Sequence, residues 1–560
     1  MRRSIRLLFV LIFVVCCCAQ EKPSPGTPKF TARTELVTVP VVIVRDHKFV
    51  EGLKQDDFTV LEDGKAKRVA FFEEVKAEPQ TIQHAAAKPG EYTNLLTDAP
   101  RPAAVTIILI DHLLAGYSEQ GNARNELMNF LLRAAGEREP TMVADVGRSG
   151  LKIVHDFTTS REVLLAALKE VRGKMEFRGP SEDDLAREAD AAGANSIANA
   201  MDVTKEAQSL EEIMTGGGPQ AGAQRMMRRI QEENIEKIML AFEQLAFGLR
   251  GVPGRKTLVW VSPGFECPFF ASMTNIHGEQ VSMGQQCVNT WRELSAANFA
   301  VYQVNPMQTE NPAYAGPAFR NSRPMTSSVQ RQMMNESLTT YTGGTICSFR
   351  SDLYTCFKRA VEDSSRYYML SYYAIPTEKP TWRKIQVKVN VPKVSIRARS
   401  GYITAGTEQS WEERRKNDIA VAVASPIEYT GVAMTVKWLN TAEKDGKRQY
   451  RFQIMVPPGV LNVDENEHNH LKLSIIAYAM DAQGGHVGDL IKDVDAHLQD
   501  RGLSLLRQQG FGYTDVLKVP PGNFTVKFIL RDDLSGRMGT VTAPTPRVAD
   551  RSSAPPAQQQ

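Results

Sequence analysis

The chain has 560 residues, which is too long for a single hydrophobic core and predicts two to four domains. Its composition, 42% hydrophobic and 23% charged, is that of ordinary soluble globular proteins. The net charge of +3 argues neither for nor against nucleic acid, but binding there needs a concentrated basic face, and the sequence shows none, so nucleic acid is not an expected partner.

The amino terminus has the pattern of a secretory signal peptide. Residues 1–6 are basic, residues 7–15 form an apolar run, and three cysteines and Ala19 follow. The run is too short to span a bilayer comfortably, so we predict cleavage after Ala19 and a secreted, periplasmic or cell-envelope protein without a transmembrane segment. A lipid anchor on one of the cysteines at 16–18 is the alternative, although none of them follows the small residue that a lipoprotein site prefers.

Four cysteines remain after removal of that segment, and an even number in an exported chain predicts two disulfides. Of the three pairings, the local one closes each loop at the smallest entropic cost and is favoured: Cys267 with Cys287, and Cys347 with Cys356. The rival is a zinc site made of all four thiolates. Neither pair has the short spacing that such sites use.

The first third of the chain begins with β structure. Residues 20–30 predict a flexible leader. Residues 31–78 alternate apolar and polar side chains around an Asp63-Gly64 hairpin turn, which predicts a small β-module. Residues 79–102 lack periodicity and are interpreted as a linker.

The stretch that follows the linker organises the rest of the chain. Residues 105–110 are β-branched or aliphatic almost without interruption, as in a central parallel strand that is buried on both faces. The strand ends at Asp111, and a helical pattern begins near Ser118. Ligands of open α/β sheets gather at the carboxyl ends of such strands, so Asp111 lies where a site is expected.

Residues 103–375 continue this alternation of strand and helix. Together they predict an α/β domain with a doubly wound, mostly parallel sheet, interrupted by insertions at 174–222 and 307–331. The further strands are expected at 142–146, 151–157, 257–261, 299–304 and 367–373, and the main later helices at 225–249, 287–297 and 351–362.

The final third is predicted to be mainly β. Residues 384–391 and 394–402 alternate strictly and predict an antiparallel hairpin that pairs, within 383–404, with the β-module. Residues 419–542 predict a β-sandwich, and residues 543–560 a disordered tail. The sandwich strands are expected at 431–438, 450–456, 471–480, 503–506 and 523–530, and the acidic pair Asp532-Asp533 is interpreted as a surface turn.

Eight short phrases occur in order between residues 36 and 402: 39–46, 53–64, 155–158, 253–260, 299–302, 342–344, 367–373 and 399–402. The most specific is Asp-Phe-Thr-Val-Leu-Glu-Asp-Gly at 57–64. Together they resemble the von Willebrand factor type A family, in particular the secreted bacterial VWFA-related domain proteins that are best represented in acidobacteria. The resemblance implies the same doubly wound sheet.

The resemblance also implies a divalent-cation site. Type A domains commonly hold Mg²⁺ through D-x-S-x-S at the first strand tip, with a Thr and an Asp from two other loops, so that one position stays open for a partner's carboxylate. Asp111 matches the first ligand, but Leu113 and Ala115 occupy the serine positions and Ser262 replaces the second Asp. The resemblance therefore implies a degenerate site, in which Asp111 is the surviving ligand for Mg²⁺ or Ca²⁺.

Two interpretations of Asp111 remain open at this point. His112, Ser118 or Asp145 could supply substitute ligands, or Asp111 could instead cap the amides that follow it.

The leading functional hypothesis is an exported, non-enzymatic interaction or adhesion-type protein that binds a protein partner at the sheet's carboxyl edge. The expected contact residues are Asp111, His112, Leu113, Ser262 and Asn305. The alternatives are a cryptic hydrolase that uses Asp111, His112 and Ser262 at the same edge, and a purely structural envelope component.

Overall fold

The computed structural model of the protein describes residues 35–46, 48–76, 88–95, 105–114, 128, 140–173, 219–252, 254–265, 272–274, 280–305, 338–339, 341–348, 353–375, 377, 381–404 and 411–546. The expected signal peptide, leader and insertion at 307–331 lie outside these residues. So do the insertion at 174–222, except for its last four residues, and nearly all of the helix expected after Ser118.

The described residues form a mixed α/β structure, with these strands: β1 Glu35–Arg45, β2 Lys48–Phe49, β3 Phe58–Glu62, β4 Lys65–Lys67, β5 Phe71–Lys76, β6 Glu91–Thr93, β7 Val105–Asp111, β8 Thr141–Gly147, β9 Gly150–Thr158, β10 Lys256–Val261, β11 Ser272–Thr274, β12 Gln280–Ser282, β13 Phe299–Asn305, β14 Thr345–Ser348, β15 Arg366–Ala374, β16 Trp382–Val389, β17 Ser395–Ala398, β18 Gly401–Ile403, β19 Thr435–Lys444, β20 Lys447–Val456, β21 His470–Met480, β22 His486–His497, β23 Phe511–Val519, β24 Thr525–Asp532 and β25 Arg537–Pro544. The α-helices are α1 Arg161–Gly173, α2 Pro219–Gly248, α3 Met283–Ala296, α4 Leu353–Ser365, α5 Trp411–Ala424 and α6 Asp500–Gln509. None of the described helices is both long and apolar enough to cross a membrane.

A six-stranded sheet lies at the centre of the α/β part, in the order β14-β13-β10-β7-β8-β9. All neighbouring pairs are parallel except β8 and β9, which form an antiparallel hairpin. The expectation of a mostly parallel sheet is confirmed, and the strands expected at 105, 257 and 299 are neighbours in it.

Helices cover both faces of this sheet, which explains why every residue of β7 is buried. Ile107 and Leu109 share one core with α2 and α3. Ile108 and Ile110 belong to a second core with α1 and α4. Successive side chains of a strand point to opposite faces, so an unbroken apolar strand is what two covered faces require.

The strand expected at 367–373 is not part of the parallel sheet, and that prediction is wrong. β15 instead lies between β1 and β5 in a separate antiparallel sheet of order β17-β1-β15-β5, with β2 attached to β1. Its alternate residues Tyr368, Leu370 and Tyr372 enter a core with β1, whereas Tyr373 is 53% exposed. Aromatic side chains favour strands of either orientation, so composition did not distinguish the two sheets.

The edge of the parallel sheet is occupied by β14, a strand that the sequence did not predict. It has only four residues, too few for a period to be recognised. A disulfide joins Cys347 on this strand to Cys356 on α4, and this pairing is confirmed. Cys287 is also disulfide-bonded, and its expected partner Cys267 lies outside the described residues.

The hairpin expected from 384–391 and 394–402 is wrong in part, because its second strand is divided: residues 401–402, in β18, pair antiparallel with β16, but residues 395–398, which form β17, belong to a different sheet. β16 pairs with β3 and β18, whereas β17 pairs with β1. Both sheets contribute to one core, in which Val39 and Tyr368 of one sheet meet Val60 and Ile385 of the other. Residues from both ends of the α/β region therefore build this β structure jointly.

The carboxyl-terminal part contains two four-stranded antiparallel sheets, β23-β20-β19-β6 and β22-β21-β24-β25, with one shared core. β6 comes from the stretch that was interpreted as a linker. The strand expected at 503–506 is wrong, since these residues lie in α6, which ends before Gly510 at φ +80°. β25 continues to Pro544, so the tail expected from 543 does not begin there.

The long helix α2 carries a buried carboxyl group against α3. Glu243 Oε1 accepts hydrogen bonds from Gln286 Nε2 at 2.7 Å and Thr290 Oγ1 at 2.8 Å. Burial raises the pKa of Glu243 to about 8, and the hydrogen bond from Thr290 only partly opposes it. The folded state therefore holds a proton that the unfolded chain releases above about pH 4.5.

This difference in proton binding makes the stability of the fold depend on pH, and Glu243→Gln is expected to remove that dependence. Wild-type stability should fall between about pH 4.5 and pH 8, by about 1.4 kcal/mol per unit of pKa shift, because the unfolded state ionises first. The variant should match the wild type near pH 5 and exceed its melting temperature at pH 8. Thermal unfolding measured between about pH 4.5 and pH 8 checks this prediction. Glu233→Gln is the control, because Glu233 is exposed on the same helix. Equal variant and wild-type curves at pH 8 would contradict it.

Candidate functional site

The candidate site lies where three parallel strands end. β7 ends at Asp111, β10 is followed by Ser262, and β13 ends at Asn305. The hydrogen-bond ladder between β10 and β13 continues for one residue past the end of β10, because Ser262 N–H donates to the carbonyl of Val304 at 3.0 Å. The sheet register alone therefore brings the expected residues to one edge.

Asp111 is fully buried at this edge, and both of its carboxylate oxygens accept hydrogen bonds. Oδ1 accepts the backbone N–H groups of Leu113 at 2.8 Å and Leu114 at 3.1 Å. Oδ2 accepts the hydroxyl of Ser262 at 2.7 Å. Burial raises the pKa of Asp111, and these three donors oppose that rise. Asp111 thus caps the turn that follows β7 and ties β7 to the end of β10.

Ser262 is equally buried and has a structural role in the same cluster. Its hydroxyl donates its proton to Asp111 and accepts the backbone N–H of Gly264 at 3.0 Å. A serine nucleophile needs an exposed oxygen and a base that takes its proton. Ser262 has no exposed surface, so its geometry does not favour the hydrolase alternative.

Among the members of the set whose side chains are described, His112 and Leu113 are the ones that reach solvent. His112 Nε2 lies 4.0 Å from Asp145 Oδ2, and the two side chains are 21% and 13% exposed. Leu113 is half-buried against the core on the α2 side of the sheet. Its carbonyl accepts the side-chain amide of Asn234 on α2 at 3.2 Å, which fixes the turn from a second direction.

Asn305 is placed at this edge by its backbone. It is the last residue of β13 and pairs with Ser348 of β14. The position of its side chain lies outside the description, so its expected contact with a partner stays a prediction.

The described residues do not fit the divalent cation that the resemblance implies. Asp111 has no exposed surface, and its oxygens already serve three donors. Within the described ranges, no group of three or more His, Cys, Asp or Glu side chains is arranged to hold a metal ion. A hard cation needs several outward-facing oxygens, and this cluster offers none.

No protein-family model matches the chain, and no curated protein matches it. The function is therefore inferred from the residues of the site.

One further residue belongs to this edge and was not predicted. Gln303 of β13 is buried and donates from Nε2 to the carbonyl of Ser262 at 3.3 Å. Its Oε1 is buried without a hydrogen-bond partner in the described part of the chain. A glutamine in an otherwise apolar buried strand was the signal that could have identified it, because buried polar side chains need partners.

Proposed function

We propose that the protein is an exported, non-enzymatic interaction protein of adhesion type, which binds a protein partner at the carboxyl edge of its parallel sheet. The observation that carries the proposal is the internal use of Asp111 and Ser262. Their hydrogen bonds make a rigid turn and leave neither group available for bond making. What the edge offers outward is His112, Asp145 and Leu113, a combination suited to contact with another protein.

We also propose that residues 103–375, apart from β15, which pairs with β1 and β5, form a doubly wound domain of the von Willebrand factor type A kind. Supporting this are the sequence phrases described above, the order β14-β13-β10-β7-β8-β9 with one antiparallel edge strand, and helices on both faces. Residues 31–78 with 383–404 would form a β-module against this domain, and residues 419–542 a β-sandwich. Such architectures place binding on the loops of one sheet edge.

This version of the site works without a cation between protein and partner. In a type A site with bound metal, the ion presents an open coordination position to the partner's carboxylate. Here the Asp111 carboxylate faces inward and its function is to hold the turn 112–114. The partner would then contact the turn itself.

The experiment is a quantitative binding assay with envelope proteins of the source organism. The immobilised chain is compared with the double variant His112→Ala/Asp145→Ala, and the strongest captured partner is then titrated. We expect its dissociation constant to rise at least tenfold in the double variant, because these two polar side chains of the edge keep some exposed surface.

A matched control is available on the carboxyl-terminal sheets. His486 Nε2 lies 3.0 Å from Asp489 Oδ1 on the surface of β22, and the two side chains are 47% and 38% exposed. His486→Ala/Asp489→Ala removes the same residue types from a different surface and should leave the affinity unchanged. Partners that bind all three proteins equally would count against the proposal and favour a purely structural envelope role.

A further inference from the structure

A cavity of about 330 Å³ lies at the opposite edge of the parallel sheet, where the α/β part meets the antiparallel sheets. Its walls come from β1, the start of β10, the carboxyl end of α3, and the segment around β18. Lys256, the first residue of β10, lines it, whereas Asp111 lies beside the other end of the same strand. The two sites are therefore about 20 Å apart along the strand direction.

The lining of this cavity is strongly basic. Four of its residues are basic, namely Arg250, Lys256, Arg292 and Arg399, and no acidic residue is among the described lining residues. Glu293 lies behind the wall and forms ion pairs with both Arg250 and Arg292. One carboxylate therefore serves two of the arginines, and the cavity itself faces an excess of positive charge.

Lys256 is the least usual member of this lining, because it is only 2% exposed. Its ammonium group donates to the backbone carbonyls of Gly254 at 3.2 Å and Ala297 at 3.0 Å. Burial, followed by repulsion from Arg250, lowers the pKa of Lys256 to about 7. An ammonium ion held only by carbonyl groups is unfavourable in a buried site, and an anion in the cavity would stabilise it.

Arg250 and Arg399 provide further donors. Arg250 Nε is buried without a hydrogen-bond partner in the described structure, although the guanidinium pairs with Glu293 through Nη2. Arg399 is 8% exposed, donates from Nη1 to Ser295 Oγ, and lies 5.7 Å from the ring centroid of Tyr402. Guanidinium groups match the two oxygens of a carboxylate in spacing and plane.

The remaining wall is partly aromatic and includes apolar residues of β1 and β18. Trp291 and Tyr341 are stacked with ring centroids 5.3 Å apart, and both line the cavity. Trp382 packs edge-on against Tyr341 at 4.5 Å, which fixes that ring from behind. A planar apolar group would find a rigid surface here, and the cavity volume is in the range of small-molecule sites.

We propose that this cavity binds a small aromatic carboxylate, with the carboxylate beside Lys256, Arg250 and Arg399 and the planar body against Trp291 and Tyr341. The site is separate from the sheet edge proposed for a protein partner and does not depend on that proposal. A ligand bound there would also connect β1, β10 and α3, which come from distant parts of the chain.

Benzoate tests the proposal directly, with benzamide as its uncharged counterpart of nearly the same shape. In calorimetric titration of the full chain, we expect benzoate to bind and benzamide to bind at least tenfold more weakly. Inorganic phosphate, which has charge without a planar body, should also bind at least tenfold more weakly than benzoate. Equal affinity for benzoate and benzamide, tighter binding of phosphate, or no binding of benzoate would overturn the proposal.

Lys256→Met is the informative variant, because it keeps an unbranched apolar stem and removes the charge. It should weaken benzoate at least tenfold, and its melting temperature near pH 7 should equal or exceed that of the wild type. Arg397→Gln is the matched control: Arg397 is two residues from Arg399, pairs with Asp363 and does not line the cavity. This control should retain benzoate affinity within twofold, and an unchanged affinity in Lys256→Met would overturn the proposal.

Proton uptake provides a measurement on the wild type alone. The charged or titratable groups around Lys256 are Arg250, Arg292, Arg399, Tyr341, Tyr402 and, behind the wall, Glu293. A carboxylate beside Lys256 favours its protonated form, so benzoate binding at pH 8 should take up a fraction of a proton. Titrations in two buffers of different ionisation enthalpy measure it, and zero uptake would contradict contact with Lys256.

Discussion

Replacing Arg531 by Met is expected to lower the free energy of unfolding by about 3–5 kcal/mol, because two buried carboxylates then lose their cation. Arg531 on β24 donates from Nε and Nη2 to Asp418 Oδ2 at 3.1 and 2.7 Å, and from Nη1 to Asp533 Oδ1 at 2.5 Å. Asp533, interpreted from the sequence as part of a surface turn, is only 7% exposed, and Asp532 is fully buried. That interpretation was right about the turn, since Asp532 Oδ1 accepts the N–H groups of Leu534 and Ser535, but wrong about exposure: Asp533 is buried against Arg531, which also binds Asp418 of α5.

The pH dependence of this loss follows from Asp418. Burial raises the pKa of Asp418 to about 6, and Arg531 opposes that rise. Without Arg531 the pKa should move higher, so the folded variant loses further stability as the pH rises through 6. The loss in free energy of unfolding relative to the wild type should be smallest near pH 4, where Asp418 approaches protonation in the folded and unfolded states. It should be largest near pH 8.

Denaturant unfolding followed by far-ultraviolet circular dichroism at pH 4, 6 and 8 measures both effects. Arg507→Met is the control, since Arg507 pairs with Glu465 on the surface with side chains 59% and 64% exposed. That pair should contribute less than about 1 kcal/mol. A deficit in Arg531→Met that is as small as in the control, or independent of pH, would show that the buried cluster is not coupled as described.

Replacing Asp111 by Ala should have the second large effect, a loss of about 2–4 kcal/mol. The substitution leaves two backbone N–H groups and the Ser262 hydroxyl without their acceptor in a buried position, and each unsatisfied group costs about 1 kcal/mol or more. The turn at 112–114 should loosen as a result. Denaturant unfolding reports the stability, and hydrogen exchange of the Leu113 and Leu114 amides reports the turn.

Asp111→Asn separates the structural role of this carboxyl from that of a charged ligand. The amide oxygen can still accept both backbone N–H groups, and its NH₂ group can donate to Ser262 after the hydroxyl rotates. We expect a loss of about 1 kcal/mol or less and retained protection of the turn. A loss as large as that of Asp111→Ala would mean that the negative charge itself is required.

The parallel core could be predicted from the sequence because its signal is local. The strands at 105, 257 and 299 are short apolar runs buried on both faces, and that pattern is specific for a covered parallel strand. The hairpin of β8 and β9 was equally local, with Gly150 at φ +88° beside the turn. In these cases neighbouring residues determine the element.

The errors concern which strands pair across long stretches of chain. β15 could be recognised as a strand, but its pairing with β1 depends on residues more than 300 positions away, such as Val39 opposite Leu370. Likewise, the sequences of β16 and β17 alternate as the two strands of a hairpin would, yet β16 pairs with β3 and β17 pairs with β1. Local periodicity does not determine which strands pair.

The site was predictable only in part, for the same reason. Asp111 follows from its place at a strand end, and Ser262 was placed beside it through the resemblance. Their mutual hydrogen bond, which changes the role of Asp111 from ligand to structural acceptor, required the sheet register. The basic cavity could not be predicted, because its lining comes from five separate parts of the chain.

The central claim is that Asp111 holds the sheet edge together and that the edge binds its partner without a cation. The most direct test is the melting temperature of the wild type and Asp111→Asn in increasing Mg²⁺, Mn²⁺ and Ca²⁺, since a bound ion stabilises the folded state by mass action. We expect the melting temperatures of both proteins to depend on cation concentration in the same way. A saturable rise in the wild type that Asp111→Asn abolishes would contradict it.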